Sequence, residues 1–297
     1  MFSLASVRYR NVLANNGGPI ARVDVSEFPI YGRRVFQANA RLAPGLIQKK
    51  PKYALYSDAD GTGASTSPMI ARFMAISESM ERWAFHAKVH AADRELYGFD
   101  VDESSNGMAA FPEFFTTQAR KHALLEAVER VSVIAWWEGA VEGDLRETEW
   151  PGVQALVIPS PIGFGVAVIA FKKSDYGFYS YGHGAGESFH SACERAVIEL
   201  ARNEFVLSLN YIFRGVEQRP APSDLFERRC LFFSSEEGHS MFEERLHHRS
   251  HGTQFTSDII CDTEIPGPWS QYAKVWRVVI RPPTAEFLVN TERYFFW

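Results

Sequence analysis

Apolar side chains recur at helical spacing along two long stretches. In the first to be considered, Leu124, Leu125, Val128, Ala135 and Trp136 fall on one face, and neither Gly nor Pro interrupts the run before Gly139. This predicts a helix from Thr116 to about Trp137, capped by Thr116 or Thr117. The segment Arg72 to Lys88 reads as a second apolar helix. Each follows a glycine-bearing stretch: Ser105-Asn106-Gly107 predicts a tight turn, because Asn and Gly tolerate positive φ, and Asp58-Ala59-Asp60-Gly61-Thr62-Gly63 reads as a loop.

Elsewhere the pattern predicts strands. Ile20–Val25, Arg34–Ala38, Tyr53–Ser57, Val153–Pro159, Gly165–Lys172, Tyr176–Tyr181 and Tyr272–Arg281 alternate or carry short apolar runs. Tyr176–Tyr181 leads into Gly182-His183-Gly184-Ala185-Gly186, and a third helix follows from Ser188 to about Leu209. Asp93–Glu103 and the acidic stretch Gly139–Gly152 read as surface connectors. Periodicity is lost from Arg219. The large rings of Tyr294, Phe295, Phe296 and Trp297 are expected to pack rather than trail in water. No repeat, low-complexity tract or linker stands out. The expectation is an α+β fold of mixed and antiparallel sheets in one domain, 18–297, after an N-terminal leader, 1–17.

Composition narrows the function classes. The 297 residues are 46% hydrophobic and 14% aromatic, which fits a well-buried core. A net charge of −5 argues against a nucleic-acid surface. No apolar run approaches the roughly 20 residues that span a bilayer, and no secretory signal is evident. Cys193, Cys230 and Cys261 are odd in number and widely spaced, which suits a reducing, cytoplasmic setting better than a disulfide framework.

The candidate chemistry lies on the two helices. Glu126, Glu129 and Arg130 stand three and four apart, so their side chains share one face. Alone, Glu-x-x-Glu-Arg is an ordinary solvated salt-bridge face. Here it occurs twice, as Glu78, Glu81 and Arg82 in the other helix. Four carboxylates converging on one site repel one another unless cations lie between them. Hard oxygen ligands suit Mg²⁺, and the guanidinium fork suits phosphate.

Other motifs carry less. Gly182-x-Gly184 follows a strand, but position 187 is Glu where a dinucleotide fingerprint needs Gly, and no glycine stretch ends in Gly-Lys-Ser/Thr. His247, His248 and His251 could be joined by Cys230 or Cys261 in a zinc site. No Cys-x-x-Cys or His-Glu-x-x-His supports that, and an exposed helix face is the better reading.

Three blocks together resemble the YcaO family. Ala71 to Arg82 resembles its A-x-x-S-A-x-x-E-x-x-E-R segment. Ser105 to Val131 resembles its S-N-G-L-A-A…L-L-E-x-x-E-R-D segment, and Gly182 to Leu200 its G-x-G-A-x-x-x-x-x-x-A-x-x-x-A-x-x-E-L segment. The resemblance implies ATP- and Mg²⁺-dependent activation of peptide backbone amides in the maturation of ribosomal peptides, giving azolines, thioamides or amidines. It implies that Glu78, Glu81, Glu126 and Glu129 hold Mg²⁺, that Arg82 and Arg130 contact phosphate or fix the carboxylates, and that Asn106 lines the site. Glu199 is an outer candidate, and His183 is the obvious general-base candidate although a loop His is more often incidental. The implied partners are a ribosomal precursor peptide and a leader-binding or accessory protein, with room for a homodimer.

Departures from the family pattern bear on this. Thr62 stands where a Lys is common, Met74 where the first block has Ser, Gln118 where an acidic residue precedes the second helix's Ala, and Val131 where the second block has Asp. The proline-rich tail of many azoline-forming members is missing. A non-catalytic YcaO-like scaffold, or a peptide-binding partner of another enzyme, is therefore the alternative.

Overall fold

A computed structural model describes residues 9–48, 53–213, 222–247 and 255–296. The backbone divides into two compact units: Met1–Lys50, Asp58–Ala127 and Ile259–Val279 form one, and Pro51–Ser57, Val128–Asp258 and Ile280–Trp297 the other. The expected α+β class with antiparallel sheets is what the chain adopts.

In the first unit, strands β1 (Ile20–Ile30), β2 (Arg33–Leu42) and β3 (Gly61–Ser65) form an antiparallel sheet in that order. Helix α1 (Pro68–Lys88) packs on it. Ser67 caps α1 by accepting from the Ile70 N–H, and Pro68 occupies the first turn, where a missing N–H costs nothing. Ala38 and Ala40 of β2 meet Ala71 and Ala75 of α1, so the layers approach closely. A second sheet has the order β4 (Met108–Phe111), β10 (Lys274–Ile280), β9 (Ile259–Glu264). Ile76, Met80 and Trp83 of α1 share a core with Phe99, Met108, Trp269 and Val275. Tyr9 and Val12, in the stretch read as a leader, are buried in that core, and the Tyr9 hydroxyl lies 2.6 Å from Ser77 Oγ.

Helix α2 (Thr116–Trp137) begins in the first unit and continues into the second. The second unit holds the antiparallel sheet β5 (Asp144–Glu147), β6 (Gln154–Pro159), β7 (Val166–Lys173), β8 (Tyr179–Gly186). Helix α3 (Phe189–Phe213) lies against β7 and β8, and the shorter α4 (Leu225–Phe233) and α5 (Glu236–His247) complete it. Its core is aromatic: Trp136, Phe171, Tyr181, Phe233, Phe242 and Phe295 cluster, which bears out the expected packing for Tyr294, Phe295 and Phe296, while Trp297 lies outside the described residues.

The glycine stretches correct two expectations. Gly61-Thr62-Gly63 and Gly182–Gly186 are not loops but strand, within β3 and β8. A Cβ on Gly61 would lie 2.2 Å from the Ala75 carbonyl oxygen, and one on Gly182 would lie 2.1 Å from the Leu200 N. Glycine is present because helix backbone passes over the strand, not because the chain turns. The two arrangements repeat: Gly61, Gly63, Ala71, Ala75 and Glu78 correspond at one constant offset to Gly182, Gly184, Ala192, Ala196 and Glu199. A repeat is thus present in strand–helix packing, carried by identical residues at one constant spacing, where none was expected. Tyr53–Ser57 is not a strand either. Its N–H groups at Ala54, Leu55 and Tyr56 donate to the fully buried Glu227 carboxylate rather than to a sheet neighbour.

Candidate functional site

The site is built on backbone. β3 is an outer strand, and the N–H of Thr62 donates to Glu78 Oε2 at 2.9 Å, joined by the Thr62 hydroxyl at 3.0 Å. The other oxygen of Glu78 receives Arg82 Nη2 at 3.4 Å, one turn along α1. In the same way the N–H of Met108, at the start of β4, donates to Glu126 Oε2 at 3.0 Å. In the second unit the N–H of His183 donates to Glu199 Oε2 at 3.3 Å. Three strands thus each present one main-chain donor to a carboxylate of the helix that follows.

Glu81 has a different environment. It is 9% exposed, and its carboxyl is held well above the usual range, first by burial and then by the nearby Glu126 and Glu78; Arg82 and Arg277 oppose that rise. This places Glu78, Glu81, Glu126 and Arg82 in one electrostatic neighbourhood, where two like charges push the third toward its neutral form. These four predicted residues are brought together in the first unit. Glu129 and Arg130 follow on α2 in the second unit: Glu129 is half-buried, and Arg130 is 8% exposed with its guanidinium over the Phe296 ring at 4.2 Å.

Asn106 enters through its main chain. Its N–H is held by Ser104 Oγ at 3.2 Å, and its carbonyl accepts from Arg277 Nη1 at 3.3 Å. Gly107 is left-handed at φ +74°, as the predicted turn requires, and a Cβ there would meet the Val278 carbonyl oxygen at 2.2 Å.

Arg277 is the residue that sequence reasoning missed. It is fully buried on β10, with its guanidinium 3.9 Å over the Phe99 ring. It donates to the carbonyls of Tyr97, Asp102, Ser104 and Asn106. One side chain therefore fixes the whole approach to the Asn106-Gly107 turn. The available signal was a lone charge in the apolar run Val275-Trp276-Arg277-Val278-Val279, since a buried Arg needs several acceptors.

His183 lies in β8 rather than a loop. Burial pushes its imidazole down to about 4, so it is neutral near pH 7, and its Nδ1 is 3.9 Å from Glu199 Oε1. Of the histidine cluster, His247 ends α5, while His248 and His251 lie outside the described residues. Among the described residues no three His, Cys, Asp or Glu side chains converge as a metal-binding group, and no helix is long and apolar enough to cross a membrane.

The comparisons with known proteins bear on the same elements. The fold is similar to a chain of the E. coli microcin synthetase McbBCD complex, with a TM-score of 0.51 and 13% identity over 86% of each chain. No curated protein matches. Residues 89–259 match a family model described as YcaO cyclodehydratase, ATP- and Mg²⁺-binding. That span holds the second acidic helix and the third glycine block, while Glu78, Glu81 and Arg82 precede it and join through the geometry above. Covering more than half of the 297 residues, this match makes the chain a member of the YcaO family.

Proposed function

We propose that this protein binds ATP and Mg²⁺ at the Glu78, Glu81 and Glu126 cluster and activates backbone amides of a ribosomal precursor peptide. The observation that carries the reading is the buried Glu81, whose proton is retained against ionisation by burial and by Glu126 and Glu78. A donor set of crowded carboxylates is what a hard divalent cation relieves. Glu78, Glu81 and Glu126 would hold the ion, with Glu129 one turn on. Arg82, one turn along α1 from Glu78, would receive phosphate oxygens.

Bound ATP supplies a phosphoryl group that converts the amide oxygen into a good leaving group. The chain's own part is to bind and orient. Arg277 holds the Asp102–Asn106 backbone in place, and the Thr62 and Met108 N–H groups aim Glu78 and Glu126. Such preorganised groups need little rearrangement as charge develops. An azoline, thioamide or amidine product would follow from the nucleophile admitted. A leader-binding or accessory protein and a homodimer belong to this reading, and a cytoplasmic setting agrees with the free thiols of Cys193, Cys230 and Cys261.

One observation favours a second reading, a non-catalytic scaffold. Glu78 and Glu126 already accept internal N–H donors, and among the described residues no three His, Cys, Asp or Glu side chains are arranged to hold a metal ion as they stand, so a cation would have to displace those bonds.

Calorimetric titration with Mg²⁺ and a non-hydrolysable ATP analogue separates the two. Binding by the native chain, lost in the Glu126→Gln/Glu129→Gln variant, supports the enzyme. Absence of binding, with precursor peptide and partner protein present, favours the scaffold.

A further inference from the structure

Helix α5 is fastened to two other elements of the second unit. Near its C-terminus, Arg245 Nε donates to the carbonyls of Trp136 at 2.6 Å and Trp137 at 3.1 Å, so α5 caps the last turn of α2. Nearer its N-terminus the fastening is His239. Its ring stacks on Tyr179 of β8, with centroids 3.5 Å and planes 15° apart, and its Nδ1 lies 2.7 Å from the Tyr181 hydroxyl. The other ring nitrogen, Nε2, lies 3.4 Å from Glu243 Oε1, one turn along α5.

A carboxylate only accepts, so Nε2 carries the hydrogen that faces Glu243. Nδ1 of the neutral ring is then the acceptor, and the Tyr181 O–H donates to it. The bond lies at the edge of the aromatic core: Tyr181 is 2% exposed and His239 7%, and the Phe242 ring stands 4.9 Å from that of Tyr181. A proton added at Nδ1 sets two donors against each other across 2.7 Å, and the bond cannot persist in that form.

The surrounding charges are mixed. On α5, Glu243 and Glu236 favour the imidazolium. On β7, Lys173 disfavours it, and its ammonium is held by Glu236 Oε1 at 2.7 Å and by the Tyr179 hydroxyl at 3.0 Å. On β8 the facing groups are Tyr179 and Tyr181, with the buried His183 next on the same face. Burial outweighs the two carboxylates and holds His239 below its ordinary 6.5.

We propose that His239 is a pH-sensitive latch, which fastens α5 to β8 when neutral and, on taking up a proton, releases α5 and loosens the C-terminal turn of α2. The closed latch keeps the ring neutral and the open one gives it to water, so opening is favoured as pH falls below 6.5. The latch does not depend on the nucleotide reading above.

The test is hydrogen exchange of the full chain, read by mass spectrometry over 236–247 and the last turn of α2 and corrected for the intrinsic pH dependence of exchange. In wild type, opening of α5 should rise by up to about tenfold per pH unit below 6.5, the limit for one linked proton. His239→Gln takes up no such proton and should hold opening level over the same range. Glu243→Gln removes a charge that favours the imidazolium, so its opening, relative to its own value at neutral pH, should exceed that of wild type. His183 is also held low by burial, and the rise that survives in His239→Gln measures its share. If His239→Gln fails to fold, the His239 imidazole is titrated by NMR in its place, with a midpoint expected below 6.5 and lower still in Glu243→Gln. Level opening in wild type, an equal rise in His239→Gln, or a midpoint at or above 6.5 overturns the latch.

Discussion

The carboxylate of Glu78 receives two donors from Thr62, the main-chain N–H at 2.9 Å and the hydroxyl at 3.0 Å. A residue that departs from the family's usual Lys is therefore coupled to the first acidic helix. Thr62→Val keeps the β-branch and the N–H but removes the hydroxyl. It should cost about 0.5–1.5 kcal/mol in urea denaturation. Unchanged stability would mean that the hydroxyl bond adds nothing to the main-chain one.

Glu81 gives a pH dependence with a definite sign. Its carboxyl sits well above the ordinary value of 4.5 in the folded chain. The folded state thus keeps a proton that the unfolded state has released. The stability from this group is complete below the unfolded value and is lost as pH rises through the folded one. Metal-free protein should become less stable as pH is raised above 4.5 toward neutrality, and Glu81→Gln should flatten that slope. Denaturation over a pH series in chelator is the check; an unaltered slope in the variant would assign the proton elsewhere.

Arg277→Lys should be costly although it keeps the charge. An ammonium cannot serve the carbonyls of Tyr97, Asp102, Ser104 and Asn106 together or stack on Phe99. A loss of about 3 kcal/mol or more is expected, since each unsatisfied buried acceptor costs about 1–3 kcal/mol. Hydrogen exchange should rise first at 102–107. Protection there equal to wild type would remove Arg277 from its role as the clamp.

Gly182→Ala forces a methyl group to 2.1 Å from the Leu200 N and 2.2 Å from the Ala196 carbonyl oxygen, both helix backbone. Neither can give way as a side chain could, so a loss of about 3 kcal/mol or more is expected. The same change at Gly163 meets nothing within 4 Å and strains only the left-handed backbone at φ +71°, so it should cost about 1 kcal/mol. Comparable losses at the two positions, measured by thermal unfolding, would contradict close packing as the cause.

The two acidic helices were legible because their signals are local. An uninterrupted apolar spacing predicted Thr116–Trp137, and that is the extent of α2. The Asn106-Gly107 turn was legible for the same reason. The glycine clusters were misread because glycine serves both turns and close approach, and only the position of the helix decides which. Tyr53–Ser57 looked like a strand, yet its donors are taken by Glu227, far along the chain. Arg277 was silent because its acceptors lie in 97–106, a stretch that reads as polar surface. Glu78, Glu81 and Glu126 could be nominated from spacing, but the burial that singles out Glu81 comes from the fold alone.

The bare faces of β3 and β8 also limit how the chain can change. Any side chain added at Gly61, Gly63, Gly182 or Gly184 would strike the helix above it. Between each pair stands one residue with a side chain, half-buried Thr62 in one strand and buried His183 in the other, and each already gives its N–H to a glutamate. The scaffold thus admits a change of chemistry most readily at Thr62, beside Glu78, while resisting change on either side of it. New specificity can be introduced there one side chain at a time, without rebuilding the fold that aims the acids.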